Sequence, residues 1–351
     1  MDAGLKRELE AKVYAGERLS RADGIALYDS DDLAWLGRLA HHRRTALGGD
    51  RVLFGVDRRL ELTGDEPVAA AARLRDEEPT ALYLVEGPDP ALSWEHYPRL
   101  LAELRTALPG VALLALSATG LRRFERLTGR SADDLLDELV EAGLTALTGA
   151  DAEIFDPEVR ARSGGDGCDW ADWSRIHRLA HAKGLRTAAA MRYGHVEEAP
   201  HRVDHVLRLR ELQDETGGFP TFVPLRRRPD PAATGHEVPP AADTLRTLAV
   251  SRLLLDNVPH LNGAWAGHGI STAQLALSFG VDDLDSTPGA EPVTAATGGE
   301  PDLLHRDDLL QLIWDGGFRP VERNARYEVL REYDAPPSLA ERRAEPQRVW
   351  A

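Results

Sequence analysis

Short apolar runs alternate with stretches of helical spacing along most of this chain, and that alternation limits its fold more than any other feature. Val52, Phe54 and Val56 mark a strand over 51–60, followed by a helix over 66–78 and a strand over 81–85. A helix over 94–107 and a strand over 111–116 come next. A helix over 131–142 follows, with Ser131 as its cap and Gly143 at its C-terminal end. The pattern continues with strands near 146–149, 186–191, 219–225 and 258–261. Helices are predicted over 170–183, 203–215, 244–256, 272–279 and 303–314, the one over 244–256 strongly amphipathic. Roughly eight β-then-α units imply parallel strands joined by right-handed helical crossovers. The 351 residues suit a closed (β/α)8 TIM-type barrel. Residues 1–48 read as an added helical extension with Ser30 as one cap, 49–330 as the barrel and 331–351 as a flexible tail.

The chain carries 42 Lys+Arg against 58 Asp+Glu, a net charge of −16, which disfavours nucleic acid and anionic membranes as partners. Its lysines are Lys6, Lys12 and Lys183, leaving few candidates for Schiff-base chemistry. A single cysteine, Cys168, excludes an internal disulfide framework, and its glycine-rich surroundings read as a surface loop. No apolar run reaches the ~20 residues of a membrane span, and the charged start lacks a signal-peptide core, so a cytoplasmic location is expected.

Several blocks, in order, resemble one family. They are Lys12-Val-Tyr-Ala-Gly-Glu-Arg-Leu-Ser20, Gly149-Ala-Asp-Ala-Glu153-Ile-Phe-Asp-Pro-Glu-Val-Arg160, and Tyr193-Gly-His195-Val-Glu197. Arg208 to Phe219, Leu253 to His260, Gly280 to Thr287 and Gly317 to Arg323 complete the set. Together they are similar to aminofutalosine synthases, radical SAM enzymes of the futalosine route to menaquinone. The resemblance implies a radical SAM-type barrel. In that family a reduced [4Fe–4S] cluster cleaves SAM, and the resulting radical adds to an enol-ether benzoate.

The chain departs from the family where the cluster should sit. The strand Arg51 to Thr63 runs directly into Gly64-Asp-Glu-Pro67, without the family's C-x-x-x-C-x-x-C loop. The SAM-anchoring Gly-Gly turn is replaced by Glu86-Gly-Pro-Asp-Pro90, and an acidic run by Ser117-Ala-Thr-Gly-Leu121. A cluster needs several thiolates at close spacing, so no cofactor is expected: no [4Fe–4S] cluster, and SAM without its usual anchors.

Candidate site residues follow from the resemblance and from loops at strand C-termini. His195 beside Glu197 is a candidate general acid/base with its orienting carboxylate. Glu86, Glu153, Arg160, Tyr193, Asp285 and Thr287 are candidate ligand-binding residues. Asp282, Asp283 and Asp285, or His177 with His181 at helical spacing, have metal-ligand chemistry, but both phrases read as structure and no metal is expected. Arg226 to Arg228 could meet a carboxylate, and Trp265 a flat ring. Three readings compete. One is a non-radical pseudoenzyme or partner subunit, assembling with a cluster-bearing radical SAM paralogue or with itself. Another is a repurposed non-redox enzyme acting on a related benzoate or nucleoside. The third keeps a cluster through a partner's cysteines.

Overall fold

The computed structural model describes residues 1–62, 67–85, 93–163, 167–227, 239–285 and 304–334. Eleven strands are formed by these residues: β1 (Arg51–Gly55), β2 (Asp57–Glu61), β3 (Ala81–Val85), β4 (Ala112–Ser117), β5 (Leu144–Thr148), β6 (Ala189–Tyr193), β7 (Thr221–Arg226), β8 (His260–Leu261), β9 (Asp283–Asp285), β10 (Arg319–Arg323) and β11 (Val329–Glu332). β2 to β5 pair in chain order, as do β6 to β8, all in parallel. A bridge between Asn262 and Asp283 joins β8 to β9, and β9 pairs with β1. Between β5 and β6 the Arg192 amide donates to the Glu153 carbonyl at 3.1 Å. The result is a TIM-type (β/α) barrel.

The first barrel strand breaks at Val56, where one continuous strand was expected. Its first half, β1, lies between β9 and β10, while its second half, β2, takes β3 as neighbour. The break lets β10 enter the sheet next to β1, and β11 turns back antiparallel on β10. Residues 331 and 332, expected in a flexible tail, therefore belong to a strand. The remainder of that tail, 335–351, lies outside the described residues.

Residues 1–48 form three helices, Ala3–Ala15, Arg21–Tyr28 and Leu33–Gly48. The cap of the third is Asp32, whose carboxylate accepts from the Trp35 amide at 2.9 Å, and Ser30 is buried ahead of it. These helices explain a misreading. Helix Ala241–Leu254 is buried almost all round rather than on one face, because Arg21–Tyr28 and Leu33–Gly48 cover the side turned away from the barrel. Contact is close enough that a Cβ on Gly24 would lie 3.0 Å from Leu254. The helix over Ala132–Ala142 keeps its expected ends, with Ser131 accepting from the Asp134 amide and Gly143 in the left-handed region at φ 115°.

Candidate functional site at the C-terminal mouth of the barrel

The turn after β5 is set by a contact that admits only glycine. A Cβ on Gly149 would stand 1.9 Å from the Ala188 carbonyl oxygen. A single 3-10 turn, Ala150–Ala152, follows, and Glu153 then adopts φ 47°, ψ −121°. That conformation is costly for a residue with a side chain. It is held because the Glu153 carbonyl accepts from Arg192 on β6. Asp151 fixes the other side: its carboxylate accepts from the Thr119 amide at 2.7 Å and from Trp173 Nε1 at 3.2 Å.

Among the described residues, two polar atoms at this turn and the helix after it are buried without a hydrogen-bond partner. One is Glu153 Oε2; the other is Arg160 Nη2. Arg160 lies on helix Pro157–Ser163, is 8 % exposed, and donates through Nη1 to the Ala152 carbonyl at 3.1 Å. Gly167 presses on the idle nitrogen, since a Cβ there would lie 2.7 Å from it. Buried donors and acceptors normally find partners. One acceptor and one charged donor left over are the handles a polar ligand would take. His195 joins the same sector: its Nδ1 is 3.5 Å from Ser163 Oγ on the Arg160 helix.

Glu197 does not orient the His195 ring. It accepts from the backbone amides of Gly194 and His195, the latter at 2.9 Å, and from Arg202 Nε at 2.9 Å. Arg202 also reaches Asp243 at 3.0 Å and Thr247 Oγ1 at 2.9 Å. Glu197 thus closes its own turn and neutralises a buried arginine, so the expected acid/base pair is not assembled. Tyr193 is fully buried, its hydroxyl 3.1 Å from both Thr244 Oγ1 and His268 Nε2. His268 Nδ1 faces the Gly263 carbonyl at 2.8 Å and so carries the ring proton. Burial pushes the Tyr193 phenol up and the His268 imidazole down to about 4. Asp285 meets Arg323 and Asn262 and lines a cavity that includes neither Glu153 nor Arg160. Glu86 and Thr287 lie outside the described residues.

Of the remaining sequence candidates, Arg228 lies outside the described residues, and those that follow are structural. His177 and His181 both meet Thr187 Oγ1 at 2.8 Å, and among the described residues no group of His, Cys, Asp and Glu is placed to hold a metal. Asp282 pairs with Arg252 and Asp283 with Arg323. Trp265 is buried and donates to the Asp285 carbonyl. Cys168 is buried rather than on a surface loop, and burial pushes its thiol up to about 11. Sequence reasoning passed over Ser163, Gly167, Arg202 and His268. None stands in a spacing that signals its role, because each acts on a neighbour brought in by the fold.

The fold defines the class: a barrel of the radical SAM type. Methylornithine synthase has the same fold, with a TM-score of 0.68 at 16% identity over 89% of this chain and 97% of that one. Residues 233–335 match the family model described as the CofH/MqnC C-terminal region. The aminodeoxyfutalosine synthase of Streptomyces coelicolor is 51% identical over 99% of this chain and its own full length. That of Thermus thermophilus is 35% identical over 92% of this chain and 95% of its own. The chain belongs to the aminodeoxyfutalosine synthase family.

This membership corrects the expectation that no cofactor is involved. The close relatives and the fold point to a [4Fe–4S] cluster and SAM as the cofactors of the family. The two fit this chain differently. SAM would supply polar groups for which Glu153 Oε2 and Arg160 Nη2 are free to act as partners. A cluster would need several thiolates. The sequence contains one thiol, at Cys168, on the connection between β5 and β6 and protonated at neutral pH. The chain's own residues do not make up that ligand set.

Proposed function

We propose that this chain serves aminodeoxyfutalosine formation, in the cytoplasm and on the way to menaquinone, as a partner subunit of a cluster-bearing paralogue. In that assembly the paralogue brings the cluster thiolates, and this chain is a pseudoenzyme that binds a nucleoside or aromatic carboxylate at Glu153 and Arg160. One observation carries the reading: full-length kinship at 51% identity combined with a single cysteine, buried and protonated. The alignment with the Streptomyces coelicolor relative spans 387 positions against 351 residues here, so at least 36 positions fall opposite gaps in this chain. Selection that keeps a barrel and its helices at this identity while dispensing with thiols fits a subunit valued for its surfaces.

The competing reading, a repurposed non-redox enzyme, was motivated by the His195/Glu197 pair and by Glu86. Glu197 is committed to two amides and Arg202, which removes the first of these, and Glu86 lies outside the described residues. The proposal is tested by anaerobic affinity purification of the tagged chain from its native host. A paralogue carrying C-x-x-x-C-x-x-C should co-elute, and deleting this chain should lower aminodeoxyfutalosine formation in extracts. The absence of both a co-eluting paralogue and any change in that rate would overturn it.

A further inference from the structure

The barrel is also concave on the face opposite its mouth. A cavity of about 670 Å³ lies where β3 and β4 begin, between those strand starts and the β10–β11 hairpin. That face of a (β/α) barrel ordinarily serves stability, yet the volume falls within the range of small-molecule sites. Its walls are preformed. Gly110 takes φ 84° in the Pro109-Gly110 turn, and the Val111 amide closes that turn on the Leu108 carbonyl at 3.3 Å. An ion-paired bridge ties the hairpin to the start of β3: Arg306 meets Glu322 on β10 at 2.8 Å and Glu78 at 3.4 Å. The Tyr333 hydroxyl donates to Glu322 at 2.6 Å. Leu330 on β11 lines the cavity and, though large and apolar, is 55 % exposed.

The cavity differs in charge from the rest of the chain. Three arginines and two glutamates line it, one positive charge in excess, in a protein of net charge −16. Both glutamates meet Arg306, which leaves Arg75 and Arg331 over. Among the described residues neither has a carboxylate partner. Arg75 gives one N–H to the Ala107 carbonyl at 2.6 Å, and Arg331 gives one to the Tyr333 hydroxyl at 3.4 Å. A guanidinium carries five N–H donors, set in a fork that matches a carboxylate. Arg75 stands in the 3-10 turn before β3 and Arg331 on β11, so the two reach the cavity from the elements that bound it on either side.

We infer that this cavity binds a small molecule with two acidic groups on an apolar body. One acid pairs with Arg75 and the other with Arg331, and the body covers Leu330. In an acidic protein a cleft of the opposite sign also gathers anions from solution. The site lies at the N-terminal ends of β3 and β4, whereas Glu153 and Arg160 follow the C-terminal end of β5. It is therefore independent of the pocket at the mouth and of the partner-subunit reading.

The probe is adipate, which has two carboxylates on an aliphatic chain, titrated calorimetrically into the full chain at low salt. Saturable binding with Kd below about 1 mM is expected. Hexanoate, with one acid, should bind about tenfold more weakly or worse. Arg75→Gln and Arg331→Gln should each weaken adipate by about tenfold or more. Both side chains are exposed, so both variants should fold, and either one alone decides the matter. Arg160→Gln, at the mouth, should leave adipate affinity unchanged. A Kd above that limit, equal affinity for hexanoate, or wild-type affinity in either variant at the base would overturn the inference. So would loss of binding in Arg160→Gln, which would place the ligand at the mouth.

Discussion

Replacing Arg202 by methionine tests whether the turn carrying His195 is a buried electrostatic structure. Arg202 is 8 % exposed and sits between the Glu197 carboxylate, whose side chain is 1 % exposed, and Asp243, whose side chain is 24 % exposed. Its stem and head lie against the rings of Tyr193 and Tyr28, at 5.0 and 5.9 Å from guanidinium carbon to centroid. Methionine keeps the stem and removes the charge. Breaking a buried ion pair from one side costs about 3–5 kcal/mol. Here Asp243 can turn to water and Glu197 keeps two backbone amides, which places the loss at the lower end, about 3 kcal/mol. That is more than a hundredfold in the folding constant at about 1.4 kcal/mol per decade. Equilibrium urea unfolding at neutral pH measures it as a lower midpoint with an unchanged slope. Arg202→Lys should fall between the two, because one ammonium cannot fork to Glu197 Oε1 and Asp243 together. A loss below about 1 kcal/mol for Arg202→Met, the range of a surface pair, would refute the reasoning and return Glu197 to candidacy as a partner for His195.

Three further outcomes follow from the same packing. His177, His205 and His268 are buried, His181 is half-buried, and all four are held neutral, with His181 and His268 pushed down to about 4 and His205 to about 3. Their contribution is complete above the ordinary histidine pKa of about 6.5 and is lost as pH falls toward 4. The melting temperature should therefore drop between pH 7 and pH 5, and a level profile would contradict four neutral imidazoles. Gly149→Ala should destabilise by about 1–3 kcal/mol or more, because the Ala188 backbone must retreat. Gly48→Ala, with open space around it, should not, and equal effects would deny that the β5 turn is sterically set. Cys168 should react with a thiol reagent only after unfolding, so rapid labelling of the native protein would show that its burial is wrong.

Much of the barrel was readable because its strands are local apolar runs and its helices carry local caps. Ala81–Val85 fell where expected, and Ser131 with Gly143 marked their helix. What escaped depends on distant partners. β9 reads Asp-Leu-Asp, a poor strand by composition, and exists because Arg323 pairs with its acids and Asn262 donates hydrogen bonds to them from elsewhere in the chain. β10 and β11 escaped for the same reason, since the break at Val56 that admits β10 leaves no mark in an apolar run. Helix Ala118–Thr128 has Ser117 and Gly129 as good ends, but Gly120 near its start hides it. At the mouth, the sequence pointed to Glu153, Arg160 and His195 as loop residues. It could not show that the first two keep idle polar atoms, or that Glu197 is taken by Arg202, five residues later on the next helix.

The most direct measurement is anaerobic sedimentation of the purified chain mixed with its cluster-bearing paralogue, monitored at the absorbance of the iron–sulfur centre. A partner subunit predicts that the coloured boundary moves to the mass of a mixed complex and that this shift strengthens with added substrate. Two boundaries sedimenting independently at every concentration, with or without substrate, would contradict the account.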